Sequence, residues 1–171
     1  MTETNRRSVL AGLATVPVAA LATPALAQDV IEWRMVTSWP KILTGPGVTA
    51  QRLADAITTM SGGRLRVKLY AAGEIVPALE VFSAVSNGTA HIGHTASLFW
   101  GGKVPAAPLF TAGPFGLAPI EHITWIDHGG GQQVWDELYA PFDLKPFMAG
   151  NTGFQMGGWY KIELSKLADL K

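Results

Sequence analysis

Leu65-Arg66-Val67-Lys68-Leu69 alternates three apolar side chains with two basic ones. Successive side chains of a strand point to opposite faces, so this stretch reads as a strand with one buried and one wet face. Its neighbours decide the fold. Upstream, Leu53, Ile57 and Met60 recur at helical spacing, and Ser61-Gly62-Gly63 ends that helix with glycine as a left-handed cap. Before it, Trp39-Pro40-Lys41 and Gly45-Pro46-Gly47 make a loop, and Ile31 to Ser38 alternates loosely and is β-rich, a first strand. Downstream, Ala71-Ala72-Gly73-Glu74 is a turn and Pro77 suits the start of a helix. Leu79, Phe82 and Val85 give that helix its buried stripe, Asn87-Gly88 its stop, and Ala90 to Thr95 a short third strand. Residues 31–95 thus read strand, helix, strand, helix, strand. That alternation predicts an α/β domain with a mainly parallel sheet flanked by helices.

Leu98-Phe99-Trp100-Gly101-Gly102-Lys103 lies just beyond the third strand. In an open α/β sheet, ligands bind in the crevice at the carboxyl ends of the strands. Phe99 and Trp100 are therefore candidates for a pocket wall, with burial in the core as the other reading of two large aromatics. Residues 104–119 read as an irregular connection. Ile120, Ile123 and Ile126 predict a helix ending before Gly129-Gly130-Gly131, and Val134, Trp135, Leu138 and Tyr139 predict another, stopped by Pro141. Leu144 to Met148 reads as a strand, at an edge because of Pro146. It leads into Gly150-Asn151-Thr152-Gly153-Phe154-Gln155-Met156-Gly157-Gly158-Trp159. Four glycines there permit close backbone approach. Asn151 and Gln155 offer neutral carbonyl and amide groups, and Trp159 a flat apolar wall. The mixture suits a small polar-ligand pocket; a β-hairpin with a Gly-rich turn is the local alternative. Leu164 to Lys171 begins a helical pattern.

At the other end, Arg6-Arg7 precedes an apolar run from Val9 to Leu26 that closes on Ala25-Leu26-Ala27. This predicts an export signal over residues 1–27, cleaved after Ala27, of the twin-arginine type. The loose flanks Asn5 and Val9 leave Sec export open as well. Pro17, Pro24 and the many Ala and Thr residues argue against a membrane anchor. The chain carries 13 basic and 13 acidic side chains, so it has no electrostatic footprint for nucleic acid. It has no cysteine, which excludes disulfides and thiolate chemistry.

An evident catalytic set is missing. His91 and His94 form an H-x-x-H, but on a strand that spacing puts the rings on opposite faces, a poor metal pair. No G-x-S-x-G occurs, and Gly129-Gly130-Gly131 lacks the lysine and the preceding strand of a phosphate loop. The glutamates show no pairing recognisable from sequence.

Gly62-Gly63-Arg64-Leu65 to Glu74, Leu79-Glu80, Val85 to Ala90 and His94-Thr95 resemble a TRAP-transporter solute-binding protein of the DctP type. Pro114-Phe115-Gly116-Leu117, His128 to Gly131 and the Gly150–Trp159 stretch resemble the subgroup that binds 2-oxo and 2-hydroxy monocarboxylates. The resemblance spans essentially the whole mature chain. It implies a periplasmic-binding-protein-like fold of two α/β lobes hinged around a cleft. Residues 28–171 would form the N-terminal part of that domain, truncated at Lys171, with most of the second lobe beyond it. It further implies a periplasmic receptor without catalysis that hands its ligand to TRAP membrane subunits, and a homodimer for the full-length protein. The ligand would be held with a cation, Na⁺ or Ca²⁺, to which Gln155 contributes a carbonyl oxygen; hard cations take such ligands. Trp159 and Met156 would shape or back the pocket, with Asn151, Phe99 and Trp100 as further ligand-binding candidates. Where the subgroup has tyrosines before Trp100, this chain has Leu98 and Phe99, which removes hydroxyl donors. The arginine that pairs with the ligand carboxylate in the family would lie beyond Lys171, so carboxylate binding by residues 1–171 alone is expected to be weak or absent. The competing readings are a secreted, Tat-exported enzyme whose catalytic residues lie beyond the chain, and a binding protein of another transport class.

Overall fold

A computed structural model describes residues 30–111 and 113–170. The predicted export signal over residues 1–27 lies outside them. Strand β1 (Ile31–Thr37), helix α1 (Pro46–Met60), strand β2 (Leu65–Tyr70), helix α2 (Val81–Ser86) and strand β3 (Ile92–His94) follow in the expected order. Helices α3 (Pro119–His128) and α4 (Gly131–Tyr139) come after them, with short 3₁₀ turns at Ala78–Glu80, Ser97–Trp100, Ala107–Phe110, Ala140–Phe142 and Leu167–Leu170.

The three strands form one parallel sheet in the order β2-β1-β3. Ile31 aligns with Leu65 and Val36 with Tyr70 on one side; Met35 aligns with Ile92 and Thr37 with His94 on the other. The β1–α1–β2 crossover runs to one side of β1, and β2–α2–β3 returns past β1 to the other. Right-handed crossovers in opposite directions place α1 and α2 on opposite faces. Burial shows the result. Met35 and Val36, adjacent in β1, are both fully buried but in different cores. Met35 packs with Ala50, Ala54 and Leu69 under α1. Val36 packs with Val81, Phe82, Trp100 and the side chains of α3 and α4. Each contributes about 1.5–3 kcal/mol of transfer free energy.

The helices sit closer to the sheet than large side chains alone would allow. Small Ala50 and Ala54 form the buried face of α1, with Leu53 and Ile57 flanking, while Met60 is 87% exposed. Gly93 is the counterpart on the α2 face: a Cβ there would meet Val81 Cγ1 at 2.7 Å and Val85 Cγ2 at 3.0 Å. Leu79 precedes the helix proper in a 3₁₀ turn and faces solvent, so Val81, Phe82 and Ala84 form the buried stripe of α2. In α3, His122 and Ile126 are buried and Ile120 is exposed; in α4, Trp135 and Tyr139 are buried and Val134 is exposed. Glu121 starts α3 by accepting the Ala118 backbone N–H at 2.8 Å.

The strand expected at Leu144 to Met148 does not form. Pro146 has no N–H for a ladder, and its carbonyl accepts a hydrogen bond from the Gln132 side chain at 2.8 Å instead. Lys145 reaches Asp136 of α4. The segment lies along α4 through these contacts, with Leu144 and Met148 tucked against the core.

Candidate functional site

Because the chain leaves β1 towards β2 on one side and returns past it to β3 on the other, the carboxyl ends of β1 and β3 lie side by side, at the end of the sheet where open α/β folds bind ligands. Thr37, Ser38 and Trp39 arrive there from β1, and His94, Thr95 and Ser97 from β3. The two ends are stitched together. Ser38 N–H donates to the His94 carbonyl at 3.2 Å, and the Ser38 and Thr95 hydroxyls are 2.6 Å apart. The Ser38 hydroxyl donates to the Ala78 carbonyl at 2.7 Å, so Thr95 donates to Ser38. The Tyr139 hydroxyl donates to Ser97 Oγ at 3.0 Å in the buried interior. This leaves the Ser97 hydroxyl with a proton of its own to give.

Above these hydroxyls stands an aromatic wall. The Trp39 indole N–H donates to His94 Nδ1 at 2.9 Å. Phe99 leans on Trp39 with ring centroids 5.7 Å apart, and Trp100 stands behind Phe99 at 6.2 Å. Accepting through Nδ1 fixes His94 as the tautomer protonated on Nε2. That Nε2–H is buried without a partner. Such a donor costs about 1–3 kcal/mol, so it calls for an explanation. Burial pushes the His94 imidazole below its ordinary value, with an interaction with its own backbone carbonyl acting the other way.

That shift has a sign. The unfolded chain, with an ordinary imidazole near about 6.5, takes up its proton before the folded chain does. Stability therefore rises with pH across the window between the two values and is lost as pH falls through it. A second loss follows at lower pH. There Glu74, held low by Lys41 and the Ala71 N–H, and Asp136, held low by Lys145 and Gln132, become protonated. Urea midpoints between pH 8 and pH 5 are expected to fall, and His94→Gln is expected to flatten that part of the curve. An equally steep slope in the variant would contradict the assignment to His94.

The residues singled out from sequence divide in two. Phe99 lies at the crevice, about a third exposed, and Trp100 is buried in the core against Phe82, 5.5 Å between centroids. Asn151, Gln155 and Trp159 are exposed, and the polar ones bond within their own segment. Asn151 Oδ1 accepts from Gly153 N–H at 2.6 Å and Gln155 Nε2 donates to Thr152 Oγ1 at 2.8 Å. The segment starts on the crevice side of the sheet: a Cβ on Gly150 would sit 3.8 Å from Thr49 Cγ2, in the first turn of α1. Gln155 keeps its carbonyl Oε1 uncommitted, which fits a hard cation seeking oxygen. No cluster of three His, Cys, Asp or Glu residues able to hold a metal occurs among the described residues.

Sequence reading missed Trp39 and His94 as a pair. They are 55 residues apart, but His94 ends β3 and Trp39 lies two residues past the end of β1, at the same carboxyl end of the sheet. His91, three residues earlier, is exposed and stacks on Trp33, as strand alternation requires. A separate hollow of about 460 Å³ runs along α3, lined by Leu117, Ile120 and Trp125 among others. It is open and mostly apolar, lies away from the strand ends, and suits a small acid poorly.

Comparison with known proteins fits this geometry. The chain is 42% identical to a monocarboxylate 2-oxoacid-binding periplasmic protein of Nostoc sp. (strain PCC 7120), over 99% of this chain and 42% of that protein. A TRAP transporter solute-binding protein from Bordetella bronchiseptica RB50 is 38% identical, with a TM-score of 0.77 over 83% of this chain and 42% of its own. That crystal is a dimer with calcium and picolinate in one active site. A TRAP periplasmic solute-binding protein from Pseudoalteromonas atlantica T6c, with bound sodium and pyruvate, is 34% identical, with a TM-score of 0.79 over 83% of this chain and 43% of its own. The chain thus spans less than half the length of these relatives. The model of the DctP family, bacterial extracellular solute-binding protein family 7, matches residues 43–171. The chain belongs to that family of solute-binding proteins.

Proposed function

We propose that this chain forms part of the periplasmic receptor of a TRAP-type transporter. The receptor binds a small 2-oxo or 2-hydroxy monocarboxylate together with Na⁺ or Ca²⁺ and passes it, chemically unchanged, to membrane subunits. The carrying observation is the convergence of the Ser38 and Thr95 hydroxyls with the Trp39 and Phe99 rings at the carboxyl ends of β1 and β3, in a chain whose relatives bind pyruvate with sodium and picolinate with calcium. Gln155 would supply an oxygen to the cation, with Asn151 and Trp159 beside it and Trp100 bracing Phe99 from the core. Nothing in this arrangement activates a nucleophile. It grips and orients, and apolar rings keep water from the acid's organic end. The relative that crystallised as a dimer supports pairing of two receptor copies.

Isothermal titration of the full-length gene product with pyruvate tests the reading. Binding is expected to strengthen when Na⁺ or Ca²⁺ is present, and pyruvate recovered afterwards should be intact. Gln155→Ala is expected to weaken binding roughly tenfold and blunt its cation dependence, the scale of one lost contact to a charged group. Turnover of pyruvate, or no binding under either salt, would refute the receptor assignment.

A further inference from the structure

We infer that His94 is a positioning residue for the ligand crevice: it sets the plane of the Trp39 indole across the gap between β1 and β3 without touching the ligand. The inference rests on the receptor reading and deepens it. Trp39 sits in the loop after β1, outside any strand or helix of its own. Its indole N–H is held by His94 Nδ1 at 2.9 Å. His94 is itself fixed, because it aligns with Thr37 in the sheet and its carbonyl takes the Ser38 N–H. The imidazole is thus a rigid arm reaching from β3 to the loop of β1. Phe99, on the turn after β3, packs on Trp39 with its ring tilted by 52°, so both walls of the crevice refer back to β3.

Two facts separate this role from direct contact and from mere core filling. His94 Nε2 is shut off from solvent, so an incoming acid does not reach it. Packing alone does not call for an imidazole here, since an apolar side chain of similar size would fill the space without an orphaned donor. What leucine cannot do is accept the indole N–H. His94 therefore gives up some stability and fixes the orientation of Trp39. An indole held in one plane limits the group carried next to the ligand carboxylate, which makes the pair a determinant of ligand size.

The test uses the full-length gene product and its H94L, H94Q and W39F variants. The Trp39 indole resonance, identified by its loss in W39F, reports the hydrogen bond with no ligand present. In H94L it is expected to move upfield, and pyruvate affinity to fall roughly tenfold, the scale of one lost hydrogen bond with its attendant order. The melting temperature should be unchanged within about 3 °C or higher. Affinity for a branched 2-oxo acid should fall less. In H94Q the amide carbonyl can accept the same N–H, and both the resonance and the affinity should return most of the way. H94L in a W39F background should add little, because the two act as one unit. An unmoved indole resonance in H94L would overturn the inference, as would a moved resonance with wild-type affinity, or losses that simply add in the double variant. Failure of the receptor reading looks different: the wild-type protein itself would not bind pyruvate.

Discussion

Gly47→Ala is expected to destabilise the fold by about 3 kcal/mol, the upper end for forcing one carbon into a packed site, even though alanine is the better helix former. Propensity alone predicts a gain of about 1 kcal/mol. Space decides the other way. A Cβ at Gly47 would lie 2.3 Å from the Pro40 carbonyl oxygen, 3.0 Å from that of Lys41 and 3.2 Å from Leu43 Cβ. Two of these are backbone atoms, which cannot swing aside. They belong to a loop folded tightly onto the start of α1: Leu43 N–H donates to Pro40 at 3.1 Å, and Gly47 and Val48 N–H both donate to Leu43. To admit the methyl group, the loop must lift, and Trp39 is attached directly to Pro40. The same variant should therefore shift the Trp39 indole signal and weaken acid binding. Gly45→Ala is the control. Gly45 has φ of 85° but an added Cβ there meets nothing within 4 Å, so its loss should be limited to backbone strain, about 1–2 kcal/mol. Denaturation curves for both variants decide the matter. Equal losses, or a Gly47→Ala loss below about 1 kcal/mol, would show that the close approach is not rigid.

That contrast shows which parts of the fold can be read from sequence. The order of strands and helices over residues 31–95 follows from period and turn residues, which are local properties. Leu65 to Leu69 forms the expected half-buried strand, and Ser61-Gly62-Gly63 ends α1. Which residue of a helix faces inward is a finer matter. Leu79, placed on a buried stripe, is exposed, and so are Met60, Ile120 and Val134, whose spacing marked the helices. Each lies at or near a helix end, where the last or first turn overhangs the sheet or the partner helix and has nothing above it. The inward positions of α1 fall to Ala50 and Ala54 instead, because close approach to the sheet excludes larger groups. Leu144 to Met148 failed as a strand for another reason. Its apolar pattern was sound, since Leu144 and Met148 do pack inward, but a strand also needs a partner ladder, and Gln132 took the Pro146 carbonyl.

The site was legible where chemistry and topology coincide. The turn after β3 was expected to carry aromatics to the strand ends, and Phe99 packs on Trp39 there. Trp100, one residue on, points the other way into the core. The lost tyrosine hydroxyls at Leu98 and Phe99 suggested a crevice poor in donors. Ser38, Thr95, Ser97 and Tyr139 do bring hydroxyls together from three separate stretches, but they bond to one another and to the Ala78 carbonyl, and no local pattern announces such a convergence. The pairing of Trp39 with His94 was invisible for the same reason. Single residues far apart carry no period, and only the parallel register that sets Thr37 beside His94 brings them together.

Phe110→Ala should be the most damaging single truncation, with an expected loss of about 3–5 kcal/mol. Phe110 ends the 3₁₀ turn Ala107–Phe110 and is 7% exposed. Its ring is stacked on both faces. Trp135 of α4 lies parallel at 5.1 Å and 7°, and Trp125 of α3 at 5.6 Å and 21°. The three rings are the plate through which α3, α4 and the 104–119 connection meet. Removing the middle ring opens a gap between two indoles carried by different helices. The gap can close only if the helices approach, and their spacing is set elsewhere: a Cβ on Gly131, for example, would already meet Trp125 and Ile126 atoms within 3.0 Å. The cavity should therefore persist, and the loss should include its full contribution. Phe110→Leu fills much of the space without the stacked faces and is expected to cost clearly less, about 1–2 kcal/mol. Because typical domains are stable by only about 5–15 kcal/mol, the alanine variant should show a much lower urea midpoint, followed by tryptophan emission as Trp125 and Trp135 become wet. The α1 face of the sheet, built on Met35, Ala50 and Ala54, shares no core contact with this stack. Its backbone amides should thus exchange with solvent later than those of α3 and α4 in the same variant. Should the two regions lose protection together, the two cores form one cooperative unit; should Phe110→Ala melt like wild type, the aromatic stack is not what joins the helices.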